Sequence, residues 1–276
     1  MKIKNFAIIG KPLSHSLSPT LHNFWLKEYK ISGNYNFLEI NINEIYNVLD
    51  KIREKEIKGV NVTLPYKQKV IPFLDKLSDF AKESNSVNTI YLNDKNELVG
   101  DNTDIYGIQE GYIKKIIIEK KKSFRALIIG AGGVSPSIIV SLYKAGITKI
   151  SLVNRTYQKA HELKEKFSNL ELLKWENYKN KIQSFDIIIN ATSLGLKGGE
   201  NFDFVLEDFK TTMIYVDTIY NPLETKMIKH FKANKIKTYN GLDMFMYQGQ
   251  KSFYLWNGIK PEINDKIRNL LISKLK

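Results

Sequence analysis

The chain has 276 residues, with 42 Lys and Arg against 29 Asp and Glu and no cysteine. That length suits one large domain or two ordinary ones, and 43% apolar residues suffice for a core. The missing cysteine excludes a disulfide scaffold, a thiolate zinc site and a cysteine nucleophile, and fits a reducing cytoplasmic setting. The start, Met1 to Phe6, lacks the apolar stretch of a signal peptide, and no apolar run approaches the roughly 18 residues of a membrane span. The formal charge of +13 raises nucleic acid as a partner. The lysines are scattered, often beside Glu, which describes solvated faces; the densest run is Lys120-Lys121-Lys122. A positive field of this kind also gathers an anionic cofactor or substrate.

Short apolar strands alternate with amphipathic helices, the pattern of an α/β fold. Phe6 to Gly10 predicts a first strand. Ser18 predicts a helix cap, with Pro19 at the first helical position and Leu21, Phe24, Trp25 and Leu26 following. A strand over 35–40, a helix over 43–54 and a strand over 59–63 come next. Residues 86–92 and 97–100 predict a strand pair about the turn at 93–96, and a helix is expected from Asp104. A second unit opens with a buried strand over 124–130, then helix 135–145, strand 149–153 and helix 157–167. Further strands are predicted at 185–190, 213–217 and 237–239, and helices over 244–256 and 261–275.

Gly130-Ala131-Gly132-Gly133 joins a strand to a helix. There glycines allow a tight turn and let a pyrophosphate approach the helix N-terminus. Ser135 replaces the usual third glycine and is small enough for close helix–strand packing. The end of the next strand carries Asn154-Arg155-Thr156 in place of the acid that would hold a ribose 2′-hydroxyl. Arg155 offers a cationic fork to a 2′-phosphate, Thr156 a hydroxyl and Lys159 further charge, so NADP is favoured over NAD.

The first unit gathers small polar groups at strand ends: His15-Ser16-Leu17-Ser18-Pro19, Asn61-Val62-Thr63-Leu64-Pro65 with Lys67, Asn88-Thr89, and Asp101 to Asp104. Open α/β sheets place ligands at strand C-termini. Hydroxyls, carboxamides, one lysine and the carboxylates of Asp101 and Asp104 suit a small polyhydroxylated molecule, and the lack of arginine there argues against a phosphorylated one. With Asn190-Ala-Thr192-Ser193, Asp217-Thr-Ile-Tyr220 and Tyr247-Gln248-Gly249 further on, the chain resembles the shikimate dehydrogenase family from end to end.

The resemblance implies an N-terminal α/β substrate domain, residues 1–104 with 241–276, and a Rossmann-type NADP domain, residues 105–240, meeting at a cleft. The C-terminal helices would return to the first domain. It implies NADPH-dependent reduction of 3-dehydroshikimate to shikimate on the route to chorismate and aromatic amino acids. Ser16 and Ser18 would hold the substrate carboxylate. Asn61, Thr63, Asn88 and Gln248 would hold its ring hydroxyls, with Tyr220 approaching from the cofactor side. Lys67 and Asp104 match the catalytic pair, Lys67 acting by proton transfer or by charge stabilisation alone. The glycine turn with Asn154, Arg155, Thr156 and Lys159 matches the NADP site, and Asn190, Thr192, Gly241 and Met244 the nicotinamide half.

The chain departs from the family pattern at Pro136, at Lys159 in place of a second arginine, and at Asp243 in place of a glycine. His22, His161 and His230 show no partner spacing, so no metal site is expected and none is assigned to catalysis; His15 is expected to orient its loop. Three alternatives stay open: a quinate/shikimate enzyme of relaxed specificity, a ligand-sensing relative without activity, and a nucleic-acid binder. Retention of Lys67 and Asp104 argues against the second, and the scattered charge against the third. The resemblance leaves monomer and homodimer both open.

Overall fold

The computed structural model describes residues 3–14, 16–119, 124–203 and 206–275. His15 and Lys120 to Lys122 lie outside the described residues. The chain forms two compact units, Met1–Gly107 with Met246–Lys276, and Ile108–Phe245. No helix among the described residues is long and apolar enough to cross a membrane.

The first unit contains β1 (Lys4–Gly10), α1 (Ser18–Glu28), β2 (Gly33–Glu39), α2 (Ile45–Arg53) and β3 (Ile57–Val62). It continues with β4 (Lys76–Leu77), α3 (Asp79–Ser84), β5 (Thr89–Leu92), β6 (Leu98–Asp101) and the start of a helix at α4 (Thr103–Ile108). Its sheet runs β2-β1-β3-β5-β6-β4, with β2, β1 and β3 parallel and β5 antiparallel to both neighbours. In α2 the buried residues Ile45, Val48, Leu49 and Ile52 fall at helical spacing and pack with Val60, Val62 and Ile90 on one face of the sheet. An aromatic group of His22, Trp25, Tyr35, Phe253 and Trp256 forms a second buried cluster.

The helix of α4 passes through a π-type segment, Gln109–Ile113, into α5 (Lys114–Glu119). The second unit then builds β7 (Arg125–Ile129), α6 (Ser135–Lys144), β8 (Lys149–Val153), α7 (Tyr157–Lys166) and β9 (Glu171–Leu173). Next come β10 (Ile187–Asn190), β11 (Ile214–Asp217), α8 (Lys226–Ala233) and β12 (Lys237–Tyr239). The sheet is parallel throughout, in the order β12-β11-β10-β7-β8-β9. Ala126 and Ile128 enter one core and Leu127 and Ile129 another, as alternation requires of a strand covered on both faces. The order reverses between β7 and β10, the switch point where doubly wound folds hold dinucleotides.

Helices α9 (Leu242–Asn257) and α10 (Asp265–Ser273) end the chain. Residues from Met246 onward belong to the first unit, where Trp256 Nε1 donates to Ile90 O at 3.3 Å. Two expectations are corrected. Leu17, not Ser18, occupies the cap position of α1, and Ser18 is its first helical residue, because the helical hydrogen bonds begin with Leu21 N donating to Leu17 O at 3.0 Å. The last helix begins at Asp265 and not at Pro261, because Asn264 caps it by accepting from Ile267 N at 3.3 Å.

Candidate active site

In the first unit the chain reverses order between β1 and β3, and the polar groups collect at their C-terminal ends. Thr63 N donates to Ile9 O at 2.9 Å and Lys11 N to Leu64 O at 3.0 Å, which ties the two strand ends together. Gly10 is required here: a Cβ would lie 2.3 Å from Thr63 Cγ2 and 3.0 Å from Leu64 O. After β1, Ser16 Oγ donates to Ser18 Oγ at 3.1 Å, so two hydroxyls stand side by side at the start of α1. Past β3, Lys67 reaches Asp104 at the start of α4, with Nζ 2.5 Å from Oδ2 and both side chains largely buried.

Asn88 organises this pair. Its Nδ2 donates to Asp104 Oδ1 at 2.8 Å, while its Oδ1 accepts from Thr103 N at 2.7 Å and Thr103 Oγ1 at 3.1 Å. Asn88 thus caps α4 and orients the carboxylate with one side chain. A carboxamide has two N–H hydrogens and an ammonium three, so Asn88 and Lys67 each keep donors beyond those spent on Asp104.

Asn61 is committed elsewhere. Its Oδ1 accepts from Tyr35 OH at 2.7 Å, and its Nδ2 lies 3.1 Å from Asn88 O, 3.0 Å from Thr89 Oγ1 and 3.0 Å from Ser252 Oγ. It braces Asn88 from behind. Burial pushes the Tyr35 phenol well above its ordinary pKa, against a smaller opposing effect of Ser18, so Tyr35 remains a donor. Ser252 links Asn61, Thr89 and Thr103 and donates to Gln248 O at 3.1 Å, joining α9 to the network. Neither Tyr35 nor Ser252 stood out in the sequence, although Ser252 lies one helical turn beyond Gln248. Gln248 itself is buried at the same helix face.

In the second unit Gly130 takes φ +114°, and a Cβ there would meet Thr192 Cγ2 at 2.7 Å and Ala191 C at 3.0 Å. At Gly132, among the described residues, only Ala191 O comes near a Cβ, at 3.8 Å, so the turn is open on that side. The N–H groups of Gly132, Gly133 and Val134 find no partner among the described residues, and Pro136 in the first turn of α6 has none to offer. Unspent donors at a helix N-terminus beside an open glycine turn fit a dinucleotide pyrophosphate. Ser135, wholly buried, donates to Gly130 O at 2.8 Å and closes the turn onto α6. Asn154 Oδ1 accepts from Ala131 N at 3.0 Å, and its Nδ2 donates to Thr156 O at 2.8 Å, so it joins the glycine turn to the end of β8. Arg155 is three-quarters exposed, and Lys159 lies in the first turn of α7.

The end of β10 is fixed by the buried carboxylate of Asp217, which stands in a sequence motif without a role assigned to it there. Asp217 accepts from Thr225 Oγ1 at 2.8 Å, Ile219 N at 3.1 Å, Asn190 Nδ2 at 3.1 Å and Tyr215 OH at 3.3 Å. Burial pushes its pKa up to about 6, against the lowering effect of those bonds. Asn190 in turn accepts from Thr192 N at 3.0 Å and Thr192 Oγ1 at 2.7 Å. Gly241 is held within 2.1 Å, for a virtual Cβ, of Thr218 O; Tyr220 packs on Phe245 with centroids 4.8 Å apart. Met244 lies in the core with Tyr112 OH 3.7 Å from its sulfur, and Asp243 pairs with Lys115 at 2.7 Å.

A glycine turn at the switch point of one unit and a braced Lys–Asp–Asn cluster in the other define the class: a dinucleotide-dependent oxidoreductase. Residues 8–90 match the sequence profile of the shikimate dehydrogenase substrate binding domain, and residues 113–222 that of shikimate / quinate 5-dehydrogenase. A shikimate dehydrogenase (NADP(+)) from Pelagibacter ubique is 45% identical over 272 residues, 97% of this chain and 98% of that one. The crystal structure of shikimate 5-dehydrogenase from Thermus thermophilus in complex with NADP(H) and shikimate aligns with a TM-score of 0.85 at 30% identity, covering 99% of this chain and 100% of that one. A quinate dehydrogenase from Corynebacterium glutamicum in complex with NAD gives a TM-score of 0.88 over 99% of this chain and 100% of that one. At 24% identity it speaks to the fold alone. The chain belongs to the shikimate dehydrogenase family.

Proposed function

We propose that this chain is an NADP-dependent shikimate dehydrogenase, interconverting 3-dehydroshikimate and shikimate in chorismate biosynthesis. The observation that carries this reading is the Lys67–Asp104–Asn88 chain: a cation and a carboxylate in fixed mutual geometry, with donors left for a ligand.

Bound NADPH supplies the hydride for the ring carbonyl carbon. Lys67 donates a hydrogen bond to the carbonyl oxygen and stabilises the negative charge that builds there. It then passes a proton to that oxygen, leaving the alcohol. Asp104 holds Lys67 in place through one oxygen and accepts from the neighbouring ring hydroxyl. Asn88 donates its second N–H to a ring hydroxyl, alongside Thr63 and Gln248, and Asn61 keeps this wall rigid. Ser16 and Ser18 donate to the substrate carboxylate.

The turn from Gly130 to Gly133 cradles the pyrophosphate, and Asn154, Arg155, Thr156 and Lys159 take the adenosine ribose and its 2′-phosphate. Asn190 and Thr192 shape the loop at the nicotinamide half, backed by Gly241 and Met244. The cysteine-free composition supports the cytoplasm as the site of the reaction.

Initial rates with shikimate and quinate against NADP and NAD test this directly. Shikimate with NADP should give the highest kcat/KM of the four combinations. Faster turnover of quinate with NAD would overturn the assignment.

A further inference from the structure

Arg155 is not alone at the end of β8. Its Nη1 lies 3.5 Å from Oε2 of Glu200, and both side chains are 75% exposed. Glu200 lies in the segment that follows β10, and residues 193–200 of that segment fold on themselves. Gly195 N donates to Glu200 O at 2.7 Å, Leu196 N to Ser193 O at 3.0 Å and Gly199 N to Leu196 O at 3.0 Å. Lys197 N donates to Asn221 O at 2.9 Å, which pins the loop to the segment after β11. Gly195 and Gly198 take φ +105° and +77°, a backbone region that glycine reaches without strain. The backbone of Glu200 is therefore placed, and its side chain starts within ion-pair reach of Arg155.

A carboxylate at ion-pair distance from this guanidinium opposes the binding of a phosphate dianion in two ways. It offsets part of the guanidinium's positive potential, and it repels the incoming dianion. Neither effect bears on a cofactor that carries a ribose 2′-hydroxyl instead, since an uncharged hydroxyl can donate to a carboxylate.

We propose that Glu200 is a specificity-determining residue of the cofactor site, competing with the 2′-phosphate for Arg155 and so narrowing the preference for NADP over NAD. The inference rests on the reading of Arg155 as the 2′-phosphate partner. Glu200 holds the guanidinium until the phosphate displaces it, and NAD binding is indifferent to its charge or slightly helped by it.

The test is calorimetric titration of the full chain with NADP+, NAD+ and adenosine 2′-monophosphate, on wild type, Glu200→Gln, Glu200→Lys, Arg155→Ala and the double variant Arg155→Ala/Glu200→Gln. Circular dichroism establishes that each variant is folded. Exposed ion pairs are weak, so Glu200→Gln should tighten NADP+ and adenosine 2′-monophosphate by about two- to fivefold, and Glu200→Lys by more. NAD+ affinity should stay the same or fall slightly. The gain should vanish in the Arg155→Ala background and shrink in about 0.5 M salt. If Arg155→Ala weakens NADP+ while Glu200→Gln leaves it unchanged, the role of Glu200 is overturned and that of Arg155 stands. Equal tightening of NADP+ and NAD+ also overturns it, since the effect then lies outside the 2′ position. If Arg155→Ala leaves NADP+ affinity intact, the underlying reading of Arg155 fails.

Discussion

Lys67 and Asp104 stand 37 positions apart, and Asn88 makes them one unit by orienting the carboxylate that holds the ammonium. If Lys67 acts on charge that develops only during reaction, its removal should spare the ground state. Lys67→Ala should lower kcat roughly a hundredfold or more with KM for shikimate little changed, the scale of one lost oxyanion donor or proton-transfer group. Asp104→Asn should lower kcat and also raise KM, because it holds a ground-state hydroxyl as well. Near-normal turnover in a folded Lys67→Ala protein would make the pair a structural ion pair. Ser16 permits a cleaner probe than Ser18, which is buried and lies at the start of α1. Ser16→Ala should raise KM for shikimate by about tenfold, the effect of one charge-assisted hydrogen bond, with KM for NADP unmoved. Parallel changes in both KM values would remove Ser16 from the substrate carboxylate. These side chains stood out in the sequence because loops at strand ends seldom gather hydroxyls, carboxamides and a lysine without a ligand to hold. Their braces did not: Tyr35 and Ser252 are an ordinary strand aromatic and helix serine until folding sets them against Asn61.

At the scale of elements, the substrate side depends on how closely β1 and β3 end together. Gly10 leaves no room for a side chain beside Thr63 Cγ2, and Leu64 O closes the other side. Gly10→Ala should therefore push Thr63 outward and raise KM for shikimate, while cofactor binding in the other unit stays unchanged. Titration of both ligands checks this; a variant with unaltered shikimate affinity would show that the strand ends yield without moving the site. The strands of the second unit were legible because burial on both faces produces unbroken apolar runs such as Ala126 to Ile129. The short elements were not. β4 has two residues and β9 three, too few for any periodicity, and α3 is a six-residue helix held by its Ser78 cap and left-handed Asn85. α8 also went unread, though Thr225 caps it and Met227, Ile228 and Phe231 bury one face.

Across the whole molecule the two units carry buried titratable groups whose pH dependences oppose each other. His22 stacks on Tyr35 with centroids 4.4 Å apart, finds no hydrogen-bond partner for either ring nitrogen among the described residues, and is driven by burial from 6.5 down to about 3. A depressed histidine stabilises above its unfolded pKa, so its contribution is lost as pH falls from 6.5 toward 3. Asp217, raised to about 6, does the reverse: its contribution is present below 3.8 and lost as pH rises from there through 6. Denaturant titrations should show wild type losing about 2–3 kcal/mol relative to His22→Phe between pH 7 and 4.5. Wild type should also lose about 1–2 kcal/mol relative to Asp217→Asn between pH 5 and 7. Flat differences across those ranges would mean that water or relaxation reaches these groups.

The sequence by itself determined the alternation of strands and helices, the glycine turn, the cation at the end of β8 and the polar residues of the substrate side. All of these are local: they depend on periodicity, on turn chemistry or on residue types at a strand end. What only the tertiary structure decided were the partners. Asn61 met Tyr35 and Ser252, Ser18 went from a cap to the first residue of its helix, and Asp243 became the partner of Lys115. Arg155 came to face Glu200, 45 positions away, across a loop with no regular pattern. Hydrogen bonds and ion pairs are short-ranged and are chosen by whichever elements the sheet order brings together, so no spacing along the chain announces them.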